Sequence, residues 1–187
     1  MTVSEELDRR FREAAAAEGL LDVAYDVTDS PVGPLLVAAS SRGLCRISYD
    51  PEPEAELEQL ARRFGARILR ARPPLDPVRR QLDEYFAGAR RTFELEVDIT
   101  RVSQFNRRVL QALAHVPYGR VTTYGKLAAE SGRPRAARAV GGVMNRNPIP
   151  IVLPCHRVIG SSGSLVGYGG GLERKKALLR LEGALAD

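Results

Sequence analysis

The sequence predicts an α/β N-terminal domain, residues 1–100, followed by a mainly helical C-terminal domain with a helix-turn-helix, residues 101–187. Short apolar segments separated by turn residues fill much of the first half, whereas helical apolar spacing dominates after Ser103. The charge changes as well: residues 1–100 carry 14 Lys and Arg against 19 Asp and Glu, and residues 101–187 carry 14 against 4. With 187 residues and 44% apolar composition, the chain can bury the core of one domain or of two small ones.

Three segments near the start have strand character and follow a charged helical pattern over residues 1–20. They are VAYDV (23–27), LLVAA (35–39) and LCRISY (44–49). The segments between them, TDSPVGP and SSRG, are rich in turn residues. A small antiparallel sheet is therefore expected.

Two helices and one further strand are expected in the rest of the first half. PEAELEQLARRFG has helical apolar spacing up to Gly65, and DPVRRQLDEYFAG has Pro77 near its start and Gly88 after its end. TFELEVDI (92–99) alternates between polar and apolar residues, as a strand does.

The C-terminal half opens with an amphipathic helix, SQFNRRVLQALAHV. After it, GKLAAESGRPRAARAVGGVMNRN predicts two helices interrupted at SGRP, which is the pattern of a helix-turn-helix. Its second helix, RPRAARAVGGVM, would carry Arg135 and Arg138 among alanines, whose small side chains allow close approach to DNA. By itself the pattern also fits an ordinary helical hairpin with an alanine-rich packing face.

The excess of cations after residue 100, 14 Lys and Arg against 4 Asp and Glu, favours a polyanionic partner, although surface arginines also serve solubility. No segment approaches the ~18 apolar residues of a membrane span, and residues 1–20 lack the apolar region of a signal peptide, so a cytoplasmic location is expected. The two cysteines, Cys45 and Cys155, lie far apart and should be free thiols in a reducing compartment. No metal site is expected, because Cys155 and His156 have no other cysteine or histidine near them in sequence.

Three stretches of the second half carry a specific resemblance. PYGRVTTYGKLA, RAARAVGGVMNRNPIPIVLPCHRVIG and GYGGGLERKKALLRLEG occur in this order over residues 103–183, and SPVGPLLVAASSRGL adds a looser match in the first half. The chain resembles the 6-O-alkylguanine-DNA alkyltransferases, also called methylated-DNA–protein-cysteine methyltransferases. This resemblance implies a ribonuclease-H-like sheet in the N-terminal domain and a C-terminal domain that binds damaged double-stranded DNA and accepts its alkyl group.

The chemistry of such a transfer requires a strong, soft nucleophile, because the alkyl group is attached to guanine through a saturated carbon. Cys155 is the candidate, and it needs a base or a positive environment to become a thiolate at neutral pH. Neighbouring side chains of an extended segment point apart, so a water between Cys155 and His156 could relay the proton. The resemblance implies that Glu182 orients His156 and stabilises its protonated form.

The modified guanine must leave the base stack before it can react. The resemblance implies that Arg138 enters the stack in its place and that Tyr124 pushes the phosphate and donates a hydrogen bond to the base. Minor-groove insertion with recognition of backbone and shape would fit this. The remaining residues expected at the DNA are Thr123, Arg133, Arg135, Ala136, Ala137 and Ser161.

The resemblance also implies a guanine pocket and a hinge before the cysteine. Asn147 would tie the recognition helix to the turn before Cys155, although an Asn before Pro148 also commonly ends a helix. The pocket residues would be Met144, Pro150, Val158, Tyr168 and Gly169. Gly169 lies where some family members carry serine, so a wider pocket is expected here.

The sequence therefore predicts a DNA repair protein that acts once, because the thioether formed on Cys155 is not readily hydrolysed. No cofactor is implied, and we expect a monomer off DNA that could bind side by side on DNA. Two alternatives stay open: a DNA-binding sensor or regulator in which Cys155 is incidental, and a Cys–His hydrolase. Cys45 should be a core residue, and His115 should pack or face solvent.

Overall fold

The computed structural model describes residues 4–49 and 53–185, with only the backbone of Pro53. The chain forms two compact units. The first comprises the residues up to Ala87 together with Glu94–Asp98, and the second comprises Gly88–Phe93 together with the residues from Ile99 onward. The first three residues of the charged N-terminal pattern lie outside the described residues.

The first unit contains a four-stranded mixed sheet. Its strands are β1 (Val23–Thr28), β2 (Leu35–Ser40), β3 (Gly43–Ser48) and β4 (Ile68–Arg70), in the order β3-β2-β1-β4. The three predicted strands are confirmed and pair antiparallel, but β4 pairs parallel with β1. The expectation of a purely antiparallel sheet was therefore wrong, because a strand of three residues is too short to show alternation in the sequence.

Three helices accompany this sheet: α1 (Glu5–Ala17), α2 (Pro53–Phe64) and α3 (Asp76–Phe86). The Ser4 hydroxyl caps α1 by accepting a hydrogen bond from the Leu7 amide. Apolar side chains of β1, β2, β3 and α2 form one buried cluster, comprising Val23, Leu36, Ala38, Cys45 and Leu60. Burial of this cluster contributes to the stability of the unit, because it removes apolar surface from water.

The segment 92–99 does not form the predicted strand. Within it only Val97 forms an isolated parallel bridge, with Leu44, and the Leu44 amide donates to the Glu96 carbonyl oxygen over 2.9 Å. The side chain of Gln81 forms two hydrogen bonds with the backbone of Glu94: it accepts from the amide and donates to the carbonyl oxygen. The apolar residues of the alternation are only half-buried, and the Gln81 side chain supplies the hydrogen bonds that a neighbouring strand would make at Glu94.

The second unit is mainly helical. It contains α4 (Gln104–Ala114), β5 (Thr122–Thr123), α5 (Tyr124–Glu130), α6 (Ala137–Asn145), a 3₁₀ turn (Cys155–Arg157), β6 (Val158–Ile159) and α7 (Leu172–Leu181). Helices α5 and α6 form the predicted helix-turn-helix, and β5 pairs parallel with β6. Because α6 begins at Ala137, Arg135 lies in the turn before the recognition helix, which corrects its predicted place on that helix.

Within residues 4–49 and 53–185, no helix combines the length and the apolar character that crossing a membrane would require.

Gly43 provides a test of the packing beside β3. Its φ is +118°, and a Cβ atom built there would lie 2.3 Å from the carbonyl oxygen of Glu96. We expect Gly43→Ala to lower the free energy of unfolding by roughly 3 kcal/mol or more, because both the backbone and the contact are strained. Gly19→Ala is the control, since Gly19 also has positive φ but its Cβ would meet nothing within 4 Å. It should cost only about 1 kcal/mol. Urea unfolding followed by circular dichroism measures both, and equal losses would contradict the contact argument.

Candidate active site around Cys155

The loop between α6 and Cys155 is held by the side chain of Asn147. Its Oδ1 accepts a hydrogen bond from the Ile149 amide over 3.1 Å, and its Nδ2 donates to the Leu153 carbonyl oxygen over 2.7 Å. Ile151 lies in this loop with φ at +73°, a conformation that costs free energy for a branched residue. Asn147 thus bridges the end of α6 and the turn that presents Cys155.

Cys155 begins the 3₁₀ turn and is only 4% exposed. Burial raises the pKa of its thiol, while hydrogen bonding by the side chains of Asn147 and Tyr168 and the positive charge of Lys175 act in the opposite direction. The raised pKa means that the resting group is a thiol. A nearby base must therefore remove its proton before it can act as a nucleophile.

His156 follows Cys155 in the 3₁₀ turn and is a buried imidazole. Its Nε2 lies 2.8 Å from Oε1 of Glu182, and both side chains are fully buried. Burial lowers the pKa of His156, which Glu182 counteracts, so the neutral imidazole carries its proton on Nε2 and donates it to the carboxylate. Its Nδ1 is buried and has no hydrogen-bond partner among the residues that the structure describes. That nitrogen has a free lone pair to accept a proton.

Glu182 is shared between His156 and a second cation. Arg157 binds the same carboxylate through two hydrogen bonds, Nε to Oε2 at 2.8 Å and Nη2 to Oε1 at 2.9 Å. The Gly119 amide also donates to Oε2, over 3.3 Å. Burial acts to raise the pKa of Glu182, but hydrogen bonds and charge from His156 and Arg157 prevail and lower it to about 2. The carboxylate therefore stays ionised.

Arg157 was missed by the sequence analysis although it follows His156 directly. Its Nη1 also donates to the Val116 carbonyl oxygen over 2.6 Å, so the buried guanidinium connects the 3₁₀ turn, Glu182 and the end of α4. The tyrosine ring of Tyr118 lies 5.9 Å from its Cζ, and the Tyr118 hydroxyl donates to the Leu181 carbonyl oxygen next to Glu182. A cation inside the otherwise apolar segment IVLPCHRVIG was the available signal.

Lys175 is the second residue that the sequence analysis missed. It is fully buried, and its Nζ donates to the carbonyl oxygens of Val158, at 2.6 Å, and Val166, at 3.0 Å. Burial lowers the pKa of Lys175, while the nearby Cys155 acts to raise it. Its spacing to Leu178 and Leu179 on α7, three and four residues, could have placed it on the buried face of that helix.

Tyr124 lies close to the thiol, as the first residue of α5. Its hydroxyl donates to the Val166 carbonyl oxygen over 3.3 Å, and its pKa is raised by burial and by the charge of Cys155. Thr123, before it, caps α5 by accepting from the Lys126 amide over 3.2 Å. Tyr124 is thus held against the 166–167 loop at the edge of the site.

The predicted pocket residues differ in exposure. Met144, Pro150 and Val158 are buried, and Tyr168 is half-buried beside Cys155. A Cβ atom built at Gly169 would lie 3.1 Å from the carbonyl oxygen of Asn145. Gly169 therefore permits close approach of its loop to the end of α6. The expected widening beside Cys155 needs revision, because the missing side chain points toward this carbonyl.

The residues predicted to contact DNA lie at the start of α6 and in nearby loops. Arg138 is exposed in the first turn of α6 and has no side-chain partner among the described residues. Arg133 places its guanidinium 5.0 Å from the ring centre of Phe105. Of the others, Arg135 and Ser161 are exposed, and Ala136 and Ala137 are half-buried. A positive, sterically open helix start results.

Neither remaining thiol or imidazole belongs to this site. Cys45 is buried in the sheet with its Sγ 3.3 Å from the Ala38 carbonyl oxygen, and burial raises its pKa to about 12. His115 is exposed and donates from Nδ1 to the Gln111 carbonyl oxygen. In the described part of the chain, no group of three His, Cys, Asp or Glu side chains is arranged to hold a metal ion.

The fold and the site together define a class: an α/β unit followed by a helix-turn-helix unit with a buried cysteine beside a histidine–glutamate pair. Two family models match this architecture, the ribonuclease-like domain of 6-O-methylguanine DNA methyltransferase over residues 23–99 and its DNA-binding domain over residues 104–184. The chain belongs to the 6-O-methylguanine DNA methyltransferase family. The expected family resemblance and fold class are thereby confirmed.

Individual relatives support the same assignment. The methylated-DNA–protein-cysteine methyltransferase of Mycolicibacterium paratuberculosis is 43% identical over 165 residues, which covers 86% of this chain and 92% of that protein. The Salmonella typhimurium protein of the same name is 42% identical, covering 83% and 93%. Among solved structures, the Mycobacterium tuberculosis O6-methylguanine methyltransferase superposes with a TM-score of 0.73 at 41% identity, covering 88% and 95%. Another structure contains M. tuberculosis OGT in complex with DNA, with a TM-score of 0.73, 41% identity and coverage of 86% and 92%.

The depressed pKa of Glu182 predicts how stability depends on pH. The ordinary pKa is 4.5 and the folded-state value about 2, so the stability that Glu182 contributes is complete above pH 4.5 and is lost as the pH falls toward 2. We expect a loss of about 3 kcal/mol across this window. Glu182→Gln, although less stable at neutral pH, should have a flatter profile than the wild type. Urea unfolding at several pH values measures this difference.

The matched control for this experiment is Glu18→Gln, because Glu18 is an exposed carboxylate after α1 whose side chain forms no ion pair with the described residues. It should retain the acid dependence of the wild type. A Glu182→Gln profile as steep as that of the control would contradict the role of Glu182.

Proposed function

We propose that this chain is a DNA repair protein that transfers an alkyl group from the 6-oxygen of guanine to the Sγ atom of Cys155. The observation that carries the proposal is the buried Cys155 next to His156, whose Nε2 is held by Glu182 while its Nδ1 has no partner among the described residues. The family membership supplies the substrate class, since relatives are named methylated-DNA–protein-cysteine methyltransferases and one was crystallised with DNA.

In the proposed reaction, His156 Nδ1 accepts the proton of the Cys155 thiol through a bridging water. Glu182 stabilises the resulting imidazolium through its negative charge. Arg157 keeps the Glu182 carboxylate in position by hydrogen bonding to it. The thiolate attacks the alkyl carbon, an S–C bond forms, and the C–O bond to guanine breaks. Its electron pair remains with the guanine, which takes up a proton.

The product on the protein is a thioether. Water does not readily displace a thiolate from a saturated carbon, so each chain reacts once and is consumed. No cofactor enters this reaction. Cysteine is the nucleophile, and guanine is the leaving group, so the alkyl carbon needs no further activation.

Access to the modified base follows from the helix-turn-helix. Arg138 at the exposed start of α6 enters the stack as the base rotates out, and Tyr124 assists at the phosphate and the base. The phosphates around it are contacted by Thr123, Arg133, Arg135, Ser161 and the backbone at Ala136 and Ala137. The extruded guanine occupies a pocket formed by Met144, Pro150, Val158, Tyr168 and Gly169.

Two other functions make different predictions. A DNA-binding regulator would use α5 and α6 without transfer to Cys155, and a Cys–His hydrolase would release product to solvent repeatedly. The assignment of residues 1–100 and 101–187 as separate domains, the cytoplasmic location and the monomeric state off DNA remain predictions from the sequence.

Transfer itself is tested with duplex DNA that carries a radiolabelled methyl group on the 6-oxygen of guanine. Label should move to the protein at about one per chain, and Cys155→Ser should abolish the transfer while DNA binding is retained. Cys45→Ala is the control, because Cys45 is buried in the other unit and should leave the transfer intact. DNA binding without any transfer would instead indicate a regulator, and repeated release of label a hydrolase.

Base extrusion is tested by Arg138→Ala on two substrates. The rate with modified duplex should fall roughly a hundredfold, while the rate with the free modified base stays near wild type, since only the duplex imposes an unstacking cost of a few kcal/mol. Arg101→Ala removes an exposed arginine outside the helix-turn-helix and serves as the control. Equal losses on both substrates would mean that Arg138 supports folding or pocket shape.

A further inference from the structure

A concave surface lies between α4 and α5, and Cys155 is not among the residues that line it. This groove has a volume of about 730 Å³ and is bounded by the two helices and the 116–122 connection. Neither Cys155 nor the side chains that adjoin it, such as Asn147, Tyr168 and Lys175, line the groove. Its volume is within the range of small-molecule sites in proteins.

The groove is lined by cations without partners. Arg108 on α4, Arg120 in the connection and Lys126 on α5 all border it with exposed side chains. Their side chains form no hydrogen bond or ion pair with any residue that the structure describes. Glu130 is the acidic residue of the lining, at the end of α5. The three cations and one carboxylate leave an excess of positive charge that attracts an anion.

The inner wall of the groove is apolar and includes one buried threonine. Thr122 lines the groove and is only 7% exposed, and its Oγ1 has no hydrogen-bond partner among the described residues. A buried hydroxyl without a partner costs roughly 1–3 kcal/mol. Beside it, Val116, Pro117 and Val121 form an apolar wall, and Val121 is 41% exposed. The groove therefore combines cationic and apolar surfaces.

We propose that this groove is a second anion site, which binds the phosphate of a nucleotide unit and packs the sugar or base against the apolar wall. Arg108, Arg120 and Lys126 supply the charge. A free nucleotide and a phosphodiester of DNA outside the lesion present the same chemistry. The inference goes beyond the proposed alkyl transfer and does not depend on it.

Binding to a free phosphate is measured by NMR titration of the ¹⁵N-labelled full chain with inorganic phosphate and with deoxyadenosine monophosphate. Saturable shifts should centre on residues 108–126 along the groove, and the nucleotide should bind more tightly than phosphate because of the apolar wall. Arg120→Gln should weaken nucleotide binding about tenfold, the usual effect of losing one charge-assisted hydrogen bond. Arg101→Gln removes the same charge from an exposed position outside the groove and should have little effect.

A duplex arm distinguishes the two sources of phosphate. Unmodified DNA is used, so that no alkyl transfer is involved, and affinity is measured against salt concentration. If the groove takes a phosphodiester of DNA, Arg120→Gln should reduce the slope of log K against log salt by about one, and Arg101→Gln should not. If the slope is unchanged while nucleotide binding is weakened, the site takes a free nucleotide.

A substitution at Glu130 should have the opposite effect on nucleotide binding to Arg120→Gln. Glu130→Gln should strengthen nucleotide binding severalfold, because it removes the negative charge from the groove. Glu173→Gln is its control on α7, outside the groove. Methyl transfer to Cys155 from the free modified base should match wild type in the groove variants, which separates this proposal from the proposed function. The absence of saturable shifts in the groove, or equal effects of Arg120→Gln and Arg101→Gln, would overturn it.

Discussion

The buried carboxylate of Glu182 is the acceptor around which the second unit is organised. His156 and Arg157 come from the 3₁₀ turn, Gly119 comes from the connection after α4, and all three donate hydrogen bonds to the same two oxygens. An ionised carboxylate is expensive to bury unless it is fully paired. These contacts therefore determine together where α7, the 3₁₀ turn and the end of α4 must lie.

The same arrangement determines the tautomer of the histidine next to Cys155. Because Glu182 accepts from Nε2, His156 is held in the tautomer that leaves Nδ1 as the basic nitrogen. Arg157 shares the carboxylate and limits the charge available to hold a proton on His156, which favours a neutral imidazole at rest. Lys175, hydrogen-bonded to the Val158 and Val166 carbonyl oxygens, adds a positive charge near the thiol. The reactive segment is thus held by buried ionic and polar contacts as well as by apolar packing.

Sequence patterns predicted the strands and helices whose signals lie within a few neighbouring residues. The strands at 23–28, 35–40 and 43–48 follow from short apolar segments bounded by turn residues, and helix α4 follows from helical apolar spacing. Both signals act over a few residues. Errors arose where a distant partner decides the conformation. Strand β4 forms by pairing with the edge of β1. In segment 92–99, the Gln81 side chain forms the hydrogen bonds at Glu94 that a neighbouring strand would otherwise form.

The sequence by itself determined the first three strands, the helices on either side of the midpoint, the charge difference between the halves, and the candidate residues Cys155, His156 and Glu182. Only the tertiary structure decided which groups share Glu182, because Arg157 and Gly119 reach it across 25 and 63 residues of chain. Burial likewise follows from the fold: Lys175 and Arg157 resemble surface cations in the sequence, yet both lie in the interior. The physical reason is that desolvation and hydrogen bonding depend on every group nearby in space, whereas residue patterns record only neighbours along the chain.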